Sequence, residues 1–164
     1  MYPTDRDLAE FAQLGLRYGL LCLAQVQRWA DTVIAERAEP PPWAIELATA
    51  ELNDTIHLLN SVPGKASVGL PLNLLVGLVH RKWRKGDLSI QRVKEIGWQL
   101  HLEDQLPQPE TGGDWGTVLY CEYEDFEQGY RTAAQMQAAV EEKVTPWAAY
   151  EGHLPVWARY PQTC

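Results

Sequence analysis

Phenylalanine is almost missing from this chain, with two residues among 164 against seven Trp and seven Tyr. A core built on phenyl rings is thereby excluded. Indole and phenol groups bury large area but carry a polar atom that needs a partner, so they suit the rims of cores and interfaces. Cysteine is also scarce. Cys22, Cys121 and Cys164 are odd in number and far apart, without a CxxC or a His at zinc spacing. That pattern argues against a structural zinc and a disulfide framework, and points to a reducing compartment. The longest apolar stretch, LRYGLLCLAQV, is interrupted by Arg17 and too short to span a bilayer. The opening MYPTDRDLAEF has no basic n-region, so no secretory signal is expected. The expectation is a cytoplasmic protein without a membrane partner.

Catalytic signatures are missing too. The chain contains no G-x-S-x-G, H-E-x-x-H, P-loop or G-x-G-x-x-G. His80 and His153 have no evident catalytic companions, and neither Cys22, on an apolar stripe, nor Cys121, in an acidic segment, has the surroundings of an activated thiolate. No catalytic residue, metal ligand or cofactor is assigned, and the balance leans away from an enzyme.

What is present reads as helix. Thr4 and Asp7 form a capping-box pattern, after which Leu8, Phe11, Tyr18, Cys22, Val26, Trp29 and Val33 recur at helical spacing. Gly15 and Gly19 leave room for a kink or break in this first helix, and Pro40, Pro41 and Pro42 follow it. A second helix starts at Pro42, with Ile45, Ala48, Leu52, Ile56 and Leu59 as its expected buried stripe. The segment from Pro71 to Lys85 carries Leu72, Leu75, Val76, Val79 and Trp83 on one face, with Gly86 placed to terminate it. Asp87 or Ser89 caps the next helix, and Asp114 caps one running through Trp115, Leu119, Tyr123, Phe126 and Tyr130. Residues 116–126 also have strand-like composition, but no second strand exists to pair with them. Residues 105–114 form a Pro- and Gly-rich loop. A helical 131–143 and an aromatic, turn-rich tail from 147 complete the chain. The fold expected is all-α: one domain over residues 1–164, a bundle of five or six helices with an aromatic-rich C-terminal tail.

Charge is distributed unevenly. Residues 80–94, HRKWRKGDLSIQRVK, gather six of the fourteen Lys and Arg residues against one acid, Asp87, within a chain of net charge −8. Arg81, Lys82, Arg84, Lys85, Arg92 and Lys94 are thus candidates for binding an anion, with Trp83 available to stack on a base. GDLSIQRVKEIGWQL also resembles a helix-turn-helix with Gly97 in the turn. The helix following that turn, however, would carry Glu103 and Asp104 toward phosphates. A structural reading competes: cations in the last turn of a helix interact favourably with its dipole, by about 0.3–1 kcal/mol each. Trp83 also shares the stripe of Val76 and Val79.

The second candidate is YCEYEDFEQ, residues 120–128. Tyr120 and Tyr123 among Glu122, Glu124, Asp125 and Glu127 make a surface on which a basic protein could dock, aromatics anchoring it and carboxylates steering its approach. Metal chemistry is a further possibility, requiring Glu46, Glu51, Asp54 or His57 to face Glu103, Asp104 or the 122–127 acids. Glu51 and His57 fall about 120° apart on an ideal helix, however, and His57 lies opposite the apolar stripe. The functional expectation is a non-enzymatic protein-binding module that receives a basic partner, in the manner of an immunity protein or antitoxin. A nucleic-acid-binding helical protein using residues 80–94 and a carboxylate–metal hydrolase are the alternatives.

Overall fold

The computed structural model describes residues 2–103 and 114–159, and every regular element among them is helical. The described residues form eight α-helices, more than the five or six expected: α1 Asp5–Arg17, α2 Leu23–Glu36, α3 Pro42–Leu47, α4 Leu52–Ser61, α5 Leu70–Lys85, α6 Ile90–Leu102, α7 Trp115–Glu127 and α8 Ala133–Val144. Two 3-10 segments, Thr145–His153 and Val156–Arg159, follow. The higher count comes from splitting the first two expected helices. Gly19, at φ 64°, turns the chain between α1 and α2, in a conformation that suits a residue lacking Cβ. Residues 48–51 likewise separate α3 from α4. The contacts divide the described residues into two compact units, 2–71 with 153–159 and 72–103 with 114–152.

In the first unit, Asp7 fixes the start of α1. Its carboxylate accepts from the Thr4 N–H at 2.8 Å, completing the expected capping box, and from the Ser67 N–H at 2.6 Å. Burial pushes the Asp7 carboxyl up, but the Ser67 and Thr4 hydrogen bonds outweigh it and hold it below its ordinary value. Arg6 performs the complementary task at the other end of a helix. Its guanidinium donates to the carbonyls of Leu59, Asn60 and Val62 at 3.0, 3.1 and 3.3 Å, satisfying groups that the end of α4 leaves without intrahelical donors. Trp29 packs between Trp43 and Trp157, with ring centroids 5.2 and 5.8 Å away, and Phe11 meets Trp157 at 5.8 Å. These rings anchor the unit's core.

One expected stripe is overturned. Ile45, Leu52 and Ile56 are 54%, 54% and 39% exposed; Leu59 is buried as expected, but its buried neighbours are Ala44, Leu47 and Thr55, which lay off the stripe. The break between α3 and α4 changes the helical phase, so a stripe drawn across it no longer points one way. A second correction concerns cysteine. Cys121 is free, but Cys22 is disulfide-bonded, which removes the thiol argument for a reducing compartment. No described helix is long and apolar enough to cross a membrane.

The second unit matches its expected caps closely. Ser89 accepts from the Arg92 N–H, Asp114 accepts from the Thr117 N–H, and Gly86 follows α5 at φ 78°. Leu75, Val76, Val79, Val93, Ile96, Leu100, Leu119, Met136, Val140 and Val144 form its aliphatic core, joined by Trp115 and Trp147. α6 and α7 approach closely at Gly97 and Gly116, where a Cβ on Gly116 would collide with the Gly97 carbonyl. α7 ends before Tyr130, which is 76% exposed rather than part of the buried face. Residues 116–126 are helical, as the absence of a pairing strand implied. The loop expected at 105–114 lies outside the described residues, apart from Asp114.

Candidate functional site

The candidate residues of both charged stretches belong to the second unit, and the structure treats the two stretches differently. α5 brings the first four cations to its last two turns. Lys82 is 9% exposed; burial pushes its ammonium pKa down, against the opposing pull of Asp87. Arg81 approaches Glu151 at 3.9 Å, and Glu151 also holds Nδ1 of the buried His80. Arg84 pairs with Glu141 at 2.8 Å, and the Trp83 indole donates to the other oxygen of that carboxylate at 3.1 Å. The Arg84 hydrogen bond is the main reason that the Glu141 carboxyl sits below its ordinary value. Lys85 is exposed and forms no ion pair among the described residues.

The remaining two cations lie on α6. Arg92 pairs with Glu95 at 3.0 Å and lowers that carboxyl. The Lys94 ammonium lies 4.6 Å from the Tyr123 ring centroid and 5.3 Å from that of Tyr120, within cation–π range of both. Gly97, the turn residue of the helix-turn-helix comparison, sits inside an unbroken α6 and against α7. No turn forms there.

The acids of α7 divide between its two edges. Glu122 and Asp125 face Arg131, at 3.3 and 3.9 Å. Tyr120, Tyr123, Glu124 and Glu127, spaced i, i+3, i+4, i+7, share the other edge. Glu124 and Glu127 are exposed and form no ion pair among the described residues. Glu124 instead accepts a hydrogen bond from the Tyr120 phenol, which raises the phenol's pKa.

α6 meets this edge with a matching stripe, Lys94, Trp98 and His101, at i, i+4, i+7. Trp98 stacks on Tyr120 at 4.5 Å and on His101 at 5.1 Å, and Tyr123 meets Phe126 at 5.8 Å. His101 closes one end of the strip through Nδ1 to the Asp114 carboxylate, which also caps α7. Burial pushes the Asp114 carboxyl up, but hydrogen bonds from Thr117 and the neighbouring His101 bring it below its ordinary value. The result is a half-exposed ladder of rings running from His101 through Trp98 and Tyr120 to Tyr123 and Phe126, with Lys94 over two of the rings and Glu124 and Glu127 beside them. Sequence reasoning found the α7 half but missed Trp98 and the stacking of His101 on it. Their helical spacing from Lys94 was the available signal.

Elsewhere, His57 is exposed on α4, as are Glu46, Glu51 and Asp54 in the same unit. Among the described residues, no group of three His, Cys, Asp or Glu side chains converges as a metal site would require. Asp104 lies outside the described residues. A cleft of about 650 Å³ in the first unit is lined by Trp29, Val33, Val156 and Trp157, among others. Two of its rim charges, Asp5 and Arg37, pair with each other at 2.6 Å. It contains none of the candidate residues. No family model, curated protein or solved structure matches this chain.

Proposed function

We infer that this protein is a non-enzymatic binding module whose partner is a protein with a basic surface, docked on the α6-side edge of α7. The observation that carries this reading is the pairing of exposed Glu124 and Glu127 with Tyr120 and Tyr123 on one helical stripe. Half-exposed aromatic rings supply contact area at small entropic cost, while the nearby carboxylates accelerate association with a cationic partner. The cations of residues 80–94 are less available. Arg81, Arg84 and Arg92 have acidic partners, Lys82 is buried, and Lys94 is engaged by rings. That distribution favours the acidic edge over a nucleic-acid interface. An inhibitor of the immunity or antitoxin kind would use such an edge to cover a basic active surface. The reading is independent of compartment.

The test is a selection of displayed peptides against the full chain, repeated with Glu124→Gln/Glu127→Gln. Enrichment of Lys- and Arg-rich sequences that disappears in the double variant is the expected result. Enrichment of acidic or uncharged sequences, or basic enrichment insensitive to the two substitutions, would sink the assignment.

A further inference from the structure

Resting on that reading, we propose that the rings of Tyr120 and Tyr123 are a seat for a partner's arginine or lysine side chain, and that Lys94 occupies this seat in the free protein as an internal competitor. The geometry already contains the interaction in intramolecular form. One ammonium stands over two tyrosine faces, at 4.6 and 5.3 Å, at the edge where Glu124 and Glu127 remain without cationic partners among the described residues. The face of an aromatic ring is electronegative and selects a cation rather than an anion or a neutral group. Trp98, stacked on Tyr120 at 4.5 Å, limits the freedom of that ring and thereby preorganises the seat.

The competitor is tethered rather than free. Lys94 projects from α6, and α6 is held against α7 at the Gly97–Gly116 contact, so its ammonium stays near the rings. An incoming guanidinium must displace it, and the lysine stem is long and flexible enough to swing into solvent when that happens. Partner binding therefore has two parts. Glu124 and Glu127 attract the cationic segment, and exchange of one cation for another on the rings determines how tightly it stays. A segment presenting arginine gains most, because a guanidinium stacks as a plane where an ammonium sits as a point charge.

The experiment titrates a fluorescein-labelled oligo-arginine peptide into the full-length protein and follows anisotropy at fixed ionic strength. Lys94→Gln is compared with Lys85→Gln, which removes the same charge from an exposed position away from the rings. The expected result is tighter binding in K94Q, by about two- to fivefold beyond K85Q, and weaker binding than the parent in Lys94→Arg, whose guanidinium holds the rings more firmly at unchanged charge. Tyr120→Leu/Tyr123→Leu is then made in the parent and in the K94Q background. Competition for the seat predicts that loss of the rings costs more affinity when Lys94 is absent; simple charge repulsion predicts equal costs in both backgrounds. If the ring variants do not fold, Lys94→Arg decides: competition predicts weaker binding than the parent, and charge repulsion alone predicts no change.

Equal affinities for K94Q and K85Q, or additive ring and lysine effects, would overturn the internal competitor. The acidic-edge reading would still stand if Glu124→Gln/Glu127→Gln weakened binding more than the control Glu36→Gln/Glu39→Gln, which removes the same charge from the first unit. Equal weakening by those two pairs would remove that reading and the proposal together.

Discussion

The end of α5 and the free edge of α7 both concentrate charge, one positive and one negative, but they are built in opposite ways. At the end of α5, Glu151 and Glu141 arrive from the chain that follows α7 and engage His80, Arg81 and Arg84. On α7, Arg131 performs this service for Glu122 and Asp125 alone. Glu124 and Glu127 are left on the side carrying the tyrosines. Charge that holds helices together is unavailable to a ligand; charge left over at an edge of rings is available. Density of charge along the chain does not distinguish the two, whereas the partners supplied by the fold do.

Removing the spacing that brings α6 to α7 should have the largest effect. Gly116→Ala places a methyl group against the Gly97 carbonyl, and a backbone group cannot rotate away as a side chain can. A loss of about 1–3 kcal/mol or more in chemical denaturation is expected, together with loss of the near-UV dichroism of the Trp98–Tyr120 stack. A fully stable variant with an unchanged spectrum would mean that the two helices are not in contact there.

The contrast itself can be inverted. Glu141→Gln/Glu151→Gln strips the α5 cations of their partners and should cost about 1–3 kcal/mol. It should also create salt-dependent affinity for duplex DNA at about 50 mM salt that the parent protein lacks. Strong DNA binding by the parent would show instead that the cations were never masked.

A smaller change is expected from Arg131→Gln, which frees Glu122 and Asp125 on the opposite edge of α7 and makes the helix surface more negative. Glu122 already has one buried carboxylate oxygen without a partner, so a stability loss of about 1 kcal/mol should accompany a modest gain in oligo-arginine affinity. Unchanged stability would mean that the Arg131 contacts contribute little.

Acid should weaken the α5 contact only slightly. The Glu141 carboxyl is lowered from 4.5 in the folded protein, so its pairing contributes fully above pH 4.5 and is lost as pH falls through the lower folded value. Because this carboxylate is part-exposed, about 0.5 kcal/mol is the expected scale. Thermal melts between about pH 5 and about pH 3 should show a steeper decline for the parent than for Glu141→Gln. Parallel declines would remove Glu141 from the account.

Local signals in the sequence were reliable where physics is local. Thr4, Ser89 and Asp114 cap helices, and Gly86 terminates one, because each acts on backbone within a few residues. The exposed stripe of Ile45, Leu52 and Ile56 was misread because four residues between α3 and α4 reset the helical phase, and no strong Gly or Pro signal marks that break. At the candidate site, the charged residues themselves were visible, but their neutralisation was not. Glu141 lies 57 residues beyond Arg84, and Glu151 lies 71 beyond His80. Pairings at such separations follow from tertiary packing, which helical periodicity does not encode. The division of the α7 acids between two edges required the same information.

The meeting of Gly97 and Gly116 also bears on how such a surface changes over generations. The spacing between the facing stripes is set by main-chain atoms, not by the side chains displayed on them. Residues at 94, 98, 120, 123, 124 and 127 could therefore be exchanged singly, with the gauge between the helices preserved. Partner preference could drift on a fixed frame, from arginine toward another cation or toward an apolar segment. The two glycines would be the positions least free to follow.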